Sequence, residues 1–260
     1  MCAALPNYTN AMFDPYAHKD GAKKVEIVPA VLPKNFKDIE SHVEQVVSVA
    51  KRVQVDIVDG LYAKGTFMHK ATWPYHDGST FETIVSQERG LPAWDELNYE
   101  FDLMINDPFE KVMSYVHAGA SHILIHARSP GAVEAVQKLV DLREDTGALS
   151  VQVGVALMCD AQPEELDVFE AQFDYVQVMG IATIGRQGQP FDERAIHLLE
   201  RLRTRYPQLT LQVDGGVQAK TIPALVKAGA TFLITGSAVF GADDPAAAFK
   251  ELEKIANGTL

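Results

Sequence analysis

Cysteine is nearly absent: Cys2 and Cys159 are the only two in 260 residues, far apart and outside any CxxC pair. That excludes a disulfide framework and a thiolate zinc site, and it suits a reducing compartment. Long apolar runs are also missing. No uninterrupted stretch reaches the length of about 18 residues needed for a span, and the start, MCAALPNYTNAMFDPYAHKDGAKK, lacks the basic and apolar blocks of a secretory signal. No membrane span is expected, and the cytoplasm is the expected location. Positive charge is scarce, with 23 Lys and Arg against 35 Asp and Glu and a formal net charge of −12. No basic cluster interleaved with aromatics overrides that balance, so nucleic acid and anionic membrane surfaces are excluded as partners. Small anions stay open, because glycine turns and helix starts bind phosphate through main-chain N–H groups whatever the net charge.

What the chain has is alternation. With 47% hydrophobic residues there is ample material for a core. Eight β-branched runs read as strands, over 24–31, 52–58, 99–105, 121–127, 150–157, 173–180, 209–215 and 231–237. Between them, 36–52, 107–119, 131–147, 163–172, 191–206, 219–229 and 244–256 carry helical spacing, and a further helix is expected near 79–89 inside the long connection 61–98. AGA at 118–120 and again at 228–230 marks a helix end before a strand, and DDPAAAF supplies an N-cap aspartate followed by proline. Eight strands alternating with helices over this length predict an α/β fold, a (β/α)8 barrel (TIM barrel) in a single domain over 24–260, preceded by an N-terminal extension over 1–23. An open doubly wound sheet is the competing arrangement.

In a barrel, chemistry sits at the carboxyl ends of the strands, so the residues closing each apolar run matter most. QVDIVDG offers Gln54, Asp56 and Asp59; FDLM offers Asp102; SHILIHA offers His126; LQVDGGV offers Asp214. Strand-end aspartates also serve as N-caps and turn formers, and Asp59, directly before Gly60, fits that role. Asp56 and Asp102 are different, because each lies inside an apolar strand where an unpaired charge costs several kcal/mol unless it is paired, protonated or metal-bound. His126 fits either a ligand or a hydrogen-bonded core position, and Met104, Met158 and Met179 either line a pocket or fill the core. VDGGV and TGSAVF follow strands seven and eight, where this barrel class builds an anion site, and IGRQGQPFD adds a flexible loop with Arg186 as a cation.

These motifs resemble those of the ribulose-phosphate 3-epimerase family. EIVPAVLPKNF is similar to IAPSILSADF, VQVDIVDG to IHVDVMDG, and VMGIATIGRQGQPF to VMSVNPGFGGQxF with one extra residue. FDLMINDPFEKVMSYVHAGASHILIH, LQVDGGV and AGATFLITGSAVF have counterparts in the same order, spanning 26–240. The resemblance implies a ketose-phosphate 3-epimerase of the ribulose 5-phosphate/xylulose 5-phosphate type, a sugar-phosphate partner and a homodimer. It implies Asp56 and Asp214 as the proton-transfer pair, and Met104 and Met179 as part of a methionine cap over the substrate. Phosphate would be held around Gly188, Gly215, Gly216, Gly236 and Ser237. The metal positions of the family fall on Gln54, Asp56, Asp102 and Asp214, with glutamine and aspartate standing where the family has histidines, and its serine of PSIL is Ala30 here. Such an all-oxygen set suits Mg2+ or Mn2+ rather than Zn2+, or the site works without metal, with one carboxyl holding a proton beside another that does not. Two other readings are a sugar-phosphate-binding barrel whose catalysis has decayed, and a sister decarboxylase or aldolase, whose DxKxxD motif would be matched only at Asp102 and Asp107.

Overall fold

The computed structural model describes residues 24–63, 71–146, 151–185 and 188–258. The expected extension over 1–23 and the cation Arg186 lie outside the described residues. The eight β-branched runs form parallel strands: β1 (Glu26–Val31), β2 (Arg52–Val58), β3 (Asn98–Met104), β4 (His122–His126), β5 (Gln152–Leu157), β6 (Tyr175–Met179), β7 (Thr210–Asp214) and β8 (Phe232–Thr235). Each pairs with the next, and β8 returns to β1 through Glu26 opposite Phe232 to Pro29 opposite Thr235, which closes the barrel and removes the open-sheet alternative.

Side chains alternate along each strand. On β2, Val53, Val55 and Ile57 join the apolar layer beneath the helices, as do Phe101 and Leu103 on β3 and Val176 and Val178 on β6. The intervening residues point into the barrel. There the chain places Val28, Ala30, Phe232 and Ile234 in one apolar group and Leu124, Ala156 and Tyr175 in another, and also several buried polar residues.

Helices α1 (Phe36–Val46), α2 (Ser79–Val85), α3 (Val112–His117), α4 (Ala132–Thr146), α5 (Arg194–Arg205) and α6 (Ile222–Lys227) fall in expected intervals, the short α7 (Ser237–Phe240) follows β8 outside them, α8 (Pro245–Asn257) falls in the last, and three intervals show departures. Helix α1 stops at Val46 rather than at residue 52, because Arg52 is already the buried first residue of β2. The interval 107–119 divides into a 3-10 turn at Pro108–Glu110 and α3, with Asp107 left-handed at φ 56°. The interval 163–172 forms a 3-10 run over Pro163–Phe169, whose buried residues Pro163, Leu166 and Phe169 recur every three positions, the period of that helix. The two AGA glycines end their helices with positive φ, and Asp244 caps α8 by accepting from the Ala247 N–H at 2.9 Å.

Part of the long β2–β3 connection packs into the core through Trp73, Ile84, Leu91 and Leu97. Trp73 is fully buried, 5.7 Å from the Phe36 ring and 5.2 Å from that of Phe81, which in turn meets Tyr115. Asp59 is the turn former its position suggested: Oδ1 accepts from the N–H groups of Leu61 and Tyr62, and Oδ2 accepts from that of Asn106, tying the β2 turn to the β3 turn.

Candidate active site

Asp56 and Asp102 are register partners on neighbouring strands, and Asp214 ends β7 at the same end of the barrel. Each offers a carboxylate oxygen, and these oxygens all lie within 4.8 Å of one another. Asp56 and Asp102 are buried, whereas Asp214 keeps partial contact with solvent. Burial pushes the Asp56 carboxyl well above the ordinary range, and the charges of Asp214 and then Asp102 push it further. Asp214 is raised in the same direction, by burial first and then by Asp102 and Glu100. A low-dielectric floor that crowds acids is a place where one carboxyl keeps its proton beside another that has lost it.

Above this floor opens a cleft. Asp56 and Asp214 line it, as do Met104 and Met179 on its apolar wall and Gly188, Gly215, Gly216, Gly236 and Ser237 on its rim. Gly215 and Gly216 sit at φ 98° and 69°, and a Cβ on the second would come within 2.7 Å of the Phe191 backbone, so the turn after β7 demands glycine. Ala30 also lines the cleft, and Met158 packs beside Met104 and Met179.

Of the remaining expected ligands, Asp102 belongs to this floor and Gln54 lies beneath it. Gln54 turns its amide nitrogen, not its oxygen, to Asp56, donating to Oδ1 at 3.1 Å, and its Oε1 accepts from Gln212 at 3.2 Å. Asp102 accepts on Oδ1 from His126 Nε2 at 2.9 Å and on Oδ2 from Gln177 Nε2 at 3.1 Å. His126 is thus drawn to the acid cluster, with the Tyr62 ring 5.6 Å from its own.

Sequence reasoning passed over Gln177, Gln212 and Glu100. Their signal was the period-two pattern: each precedes a cleft or acid position by two residues, so each faces the same interior.

A closed eight-stranded barrel with convergent acids at one mouth defines a (β/α)8-barrel enzyme class, and a solved structure agrees at the level of fold. The 3-hexulose-6-phosphate synthase of Salmonella typhimurium superposes with a TM-score of 0.62 at 16% identity, covering 90% of this chain and 100% of that one. The chain belongs to the ribulose-phosphate 3-epimerase family, whose model matches residues 26–240. It is 27% identical to the ribulose-phosphate 3-epimerase of Schizosaccharomyces pombe over 223 residues, covering 85% of this chain and 90% of that protein. With the ribulose-phosphate 3-epimerase of Mycobacterium tuberculosis identity is 30% over 197 residues, covering 72% and 82%.

Proposed function

We propose that the protein is a ketose-phosphate 3-epimerase that interconverts ribulose 5-phosphate and xylulose 5-phosphate, with Asp56 and Asp214 exchanging protons at C3 from opposite faces. The observation that carries this reading is the meeting of Asp56 and Asp214 at the floor of one cleft rimmed by the glycine turns after β6, β7 and β8. One carboxylate takes the C3 proton, and the electron pair of the broken C–H bond moves toward the C2 carbonyl oxygen. The other carboxyl, still protonated, delivers its proton to the opposite face of C3 and so inverts that centre. The first acid now holds a proton and the second has none, which is the arrangement needed for the reverse reaction. The upward shifts of both acids support this division of labour, since a general acid must keep its proton near neutral pH.

Main-chain N–H groups around Gly188, Gly215, Gly216, Gly236 and Ser237 hold the phosphate, while Met104 and Met179 cover the sugar and exclude water. Three carboxylates within 4.8 Å form a hard donor set that fits a divalent cation, and Asp56, Asp102 and Asp214 would hold it, with Mg2+ or Mn2+ preferred. Such an ion, when bound, supplies positive charge against the oxygen that becomes negative. Gln54 contributes by steadying Asp56 through its amide nitrogen.

The decarboxylase or aldolase reading lacks its cation: no lysine lies between Asp102 and Asp107. Following ribulose 5-phosphate by NMR with purified protein tests the proposal. We expect xylulose 5-phosphate to accumulate to equilibrium. Tight sugar-phosphate binding without conversion of any ketose phosphate would contradict the proposal and favour a decayed barrel.

A further inference from the structure

Beneath the acids lies a layer of polar side chains that exchange no proton with the substrate. Gln54, Glu100, Gln177 and Gln212 are all fully buried, and each stands two residues before an acid or a cleft-lining methionine. Gln212 is the hub. Its Nε2 lies 2.6 Å from Gln177 Oε1, 2.7 Å from Glu100 Oε1 and 3.2 Å from Gln54 Oε1. Its own Oε1 is buried and has no hydrogen-bond partner among the described residues.

That orphaned carbonyl is informative. An apolar side chain of similar volume would fill the layer without it, and burying an unpaired acceptor is unfavourable. The amide cannot turn over to relieve it, because its oxygen would then face three oxygens. What the arrangement achieves is orientation. The two hydrogens of Gln212 Nε2 serve Gln177 Oε1 and Glu100 Oε1 at the shorter distances, and Gln54 Oε1, at 3.2 Å, shares one of them; with their oxygens on that side, Gln54 and Gln177 direct their nitrogens at Asp56 and Asp102. If either amide flipped, it would present oxygen to a carboxylate.

We propose that Gln212 is a positioning residue: it locks the amides of Gln54 and Gln177 so that their nitrogens fix Asp56 and Asp102 in the geometry the reaction needs. The kinetic consequence rests on the epimerase reading, whereas the amide orientation rests on the hydrogen bonds alone. Glu100 sets Gln212 in turn, itself fixed by the Tyr175 hydroxyl at 2.9 Å and by Arg52, whose Nη1 is 3.2 Å from Oε2.

The test pairs Gln212→Met with Gln212→Glu and reads two quantities in each: the side-chain amide 15N–1H signals of Gln54 and Gln177, and kcat and KM for the ketose phosphate. In folded Gln212→Met both amide signals should move and exchange faster with solvent. The kcat should fall about 10- to 100-fold, the range seen when partners of active-site groups are removed, with KM within about twofold because the phosphate grip lies at the rim. Gln212→Glu, which adds an acceptor among acceptors, should lower kcat further. Should Gln212→Met fail to fold, Gln177→Met removes the Asp102 arm and the nearest acceptor of Gln212, and should lower kcat and move the Gln54 signal as Gln212 re-pairs; an unmoved Gln54 signal would overturn the hub. Unchanged amide signals would overturn the proposal, and so would moved signals with kcat within about twofold of wild type. A wild-type protein that converts no ketose phosphate would instead sink the epimerase reading, while the amide signals would still decide whether Gln212 orients its neighbours.

Discussion

Asp56 and Asp214 carry ordinary carboxyl groups whose chemistry is set by where the strands put them. Asp56 is buried, Asp214 largely so, and both are crowded by Asp102, so both resist ionisation. A folded-state pKa above the unfolded value of 3.8 means that the folded, metal-free protein binds more protons than the unfolded chain above that pH, so stability falls as pH rises through the window up to the raised values. Thermal unfolding of chelated protein should therefore show a higher Tm at about pH 5 than at about pH 8, and Asp56→Asn should flatten that slope. An unchanged slope in the variant would contradict the crowding. The acids were legible in the sequence because a charge inside an apolar strand stands out. Gln177 and Gln212 were not, since a neutral amide raises no such alarm and its partner is non-local: Gln212 meets Gln54 across 158 positions of chain. Nor does sequence tell which end of the Gln54 amide faces Asp56.

At the scale of elements, all eight strands could be read from β-branched runs, because a strand buried on both faces is apolar in composition whatever its neighbours. Helix limits were less legible. Helix α1 ends at Val46, with a turn before β2 opens at Arg52, and the 3-10 run at Pro163–Phe169 follows an apolar spacing of three that resembles helical spacing over so short a stretch. The turn after β7 is the element on which phosphate binding depends. Gly216→Ala forces a left-handed backbone on a residue with a Cβ and drives that Cβ against Phe191. Steady-state kinetics should show KM for the sugar phosphate raised about tenfold, equivalent to about 1.4 kcal/mol of lost binding, with kcat little changed. An unaltered KM would remove this turn from the phosphate site.

For the whole molecule, closure of the barrel is what turns distant sequence motifs into one site, by bringing β2, β3 and β7 around a common axis. Counting strands predicted that closure; the cross-barrel hydrogen bonds it creates could not be counted. Among the described residues no helix is long and apolar enough to cross a membrane. A chain of net charge −12 with three acids meeting inside attracts cations, and one that binds only the folded state adds about 2.7 kcal/mol of stability at roughly 100 times its Kd. Adding Mn2+ to chelated protein should raise Tm by several degrees, and Asp102→Asn should remove most of that rise. Equal shifts in both would place the ion elsewhere. The most direct test of the two-carboxylate account is deuterium at C3 in heavy water. Wild type should place solvent deuterium on each newly formed epimer, while Asp56→Asn and Asp214→Asn should stop epimerisation, each still exchanging the hydrogen of one epimer, and not the same one. Epimerisation at the wild-type rate by either variant, or product formed without solvent deuterium, would contradict it.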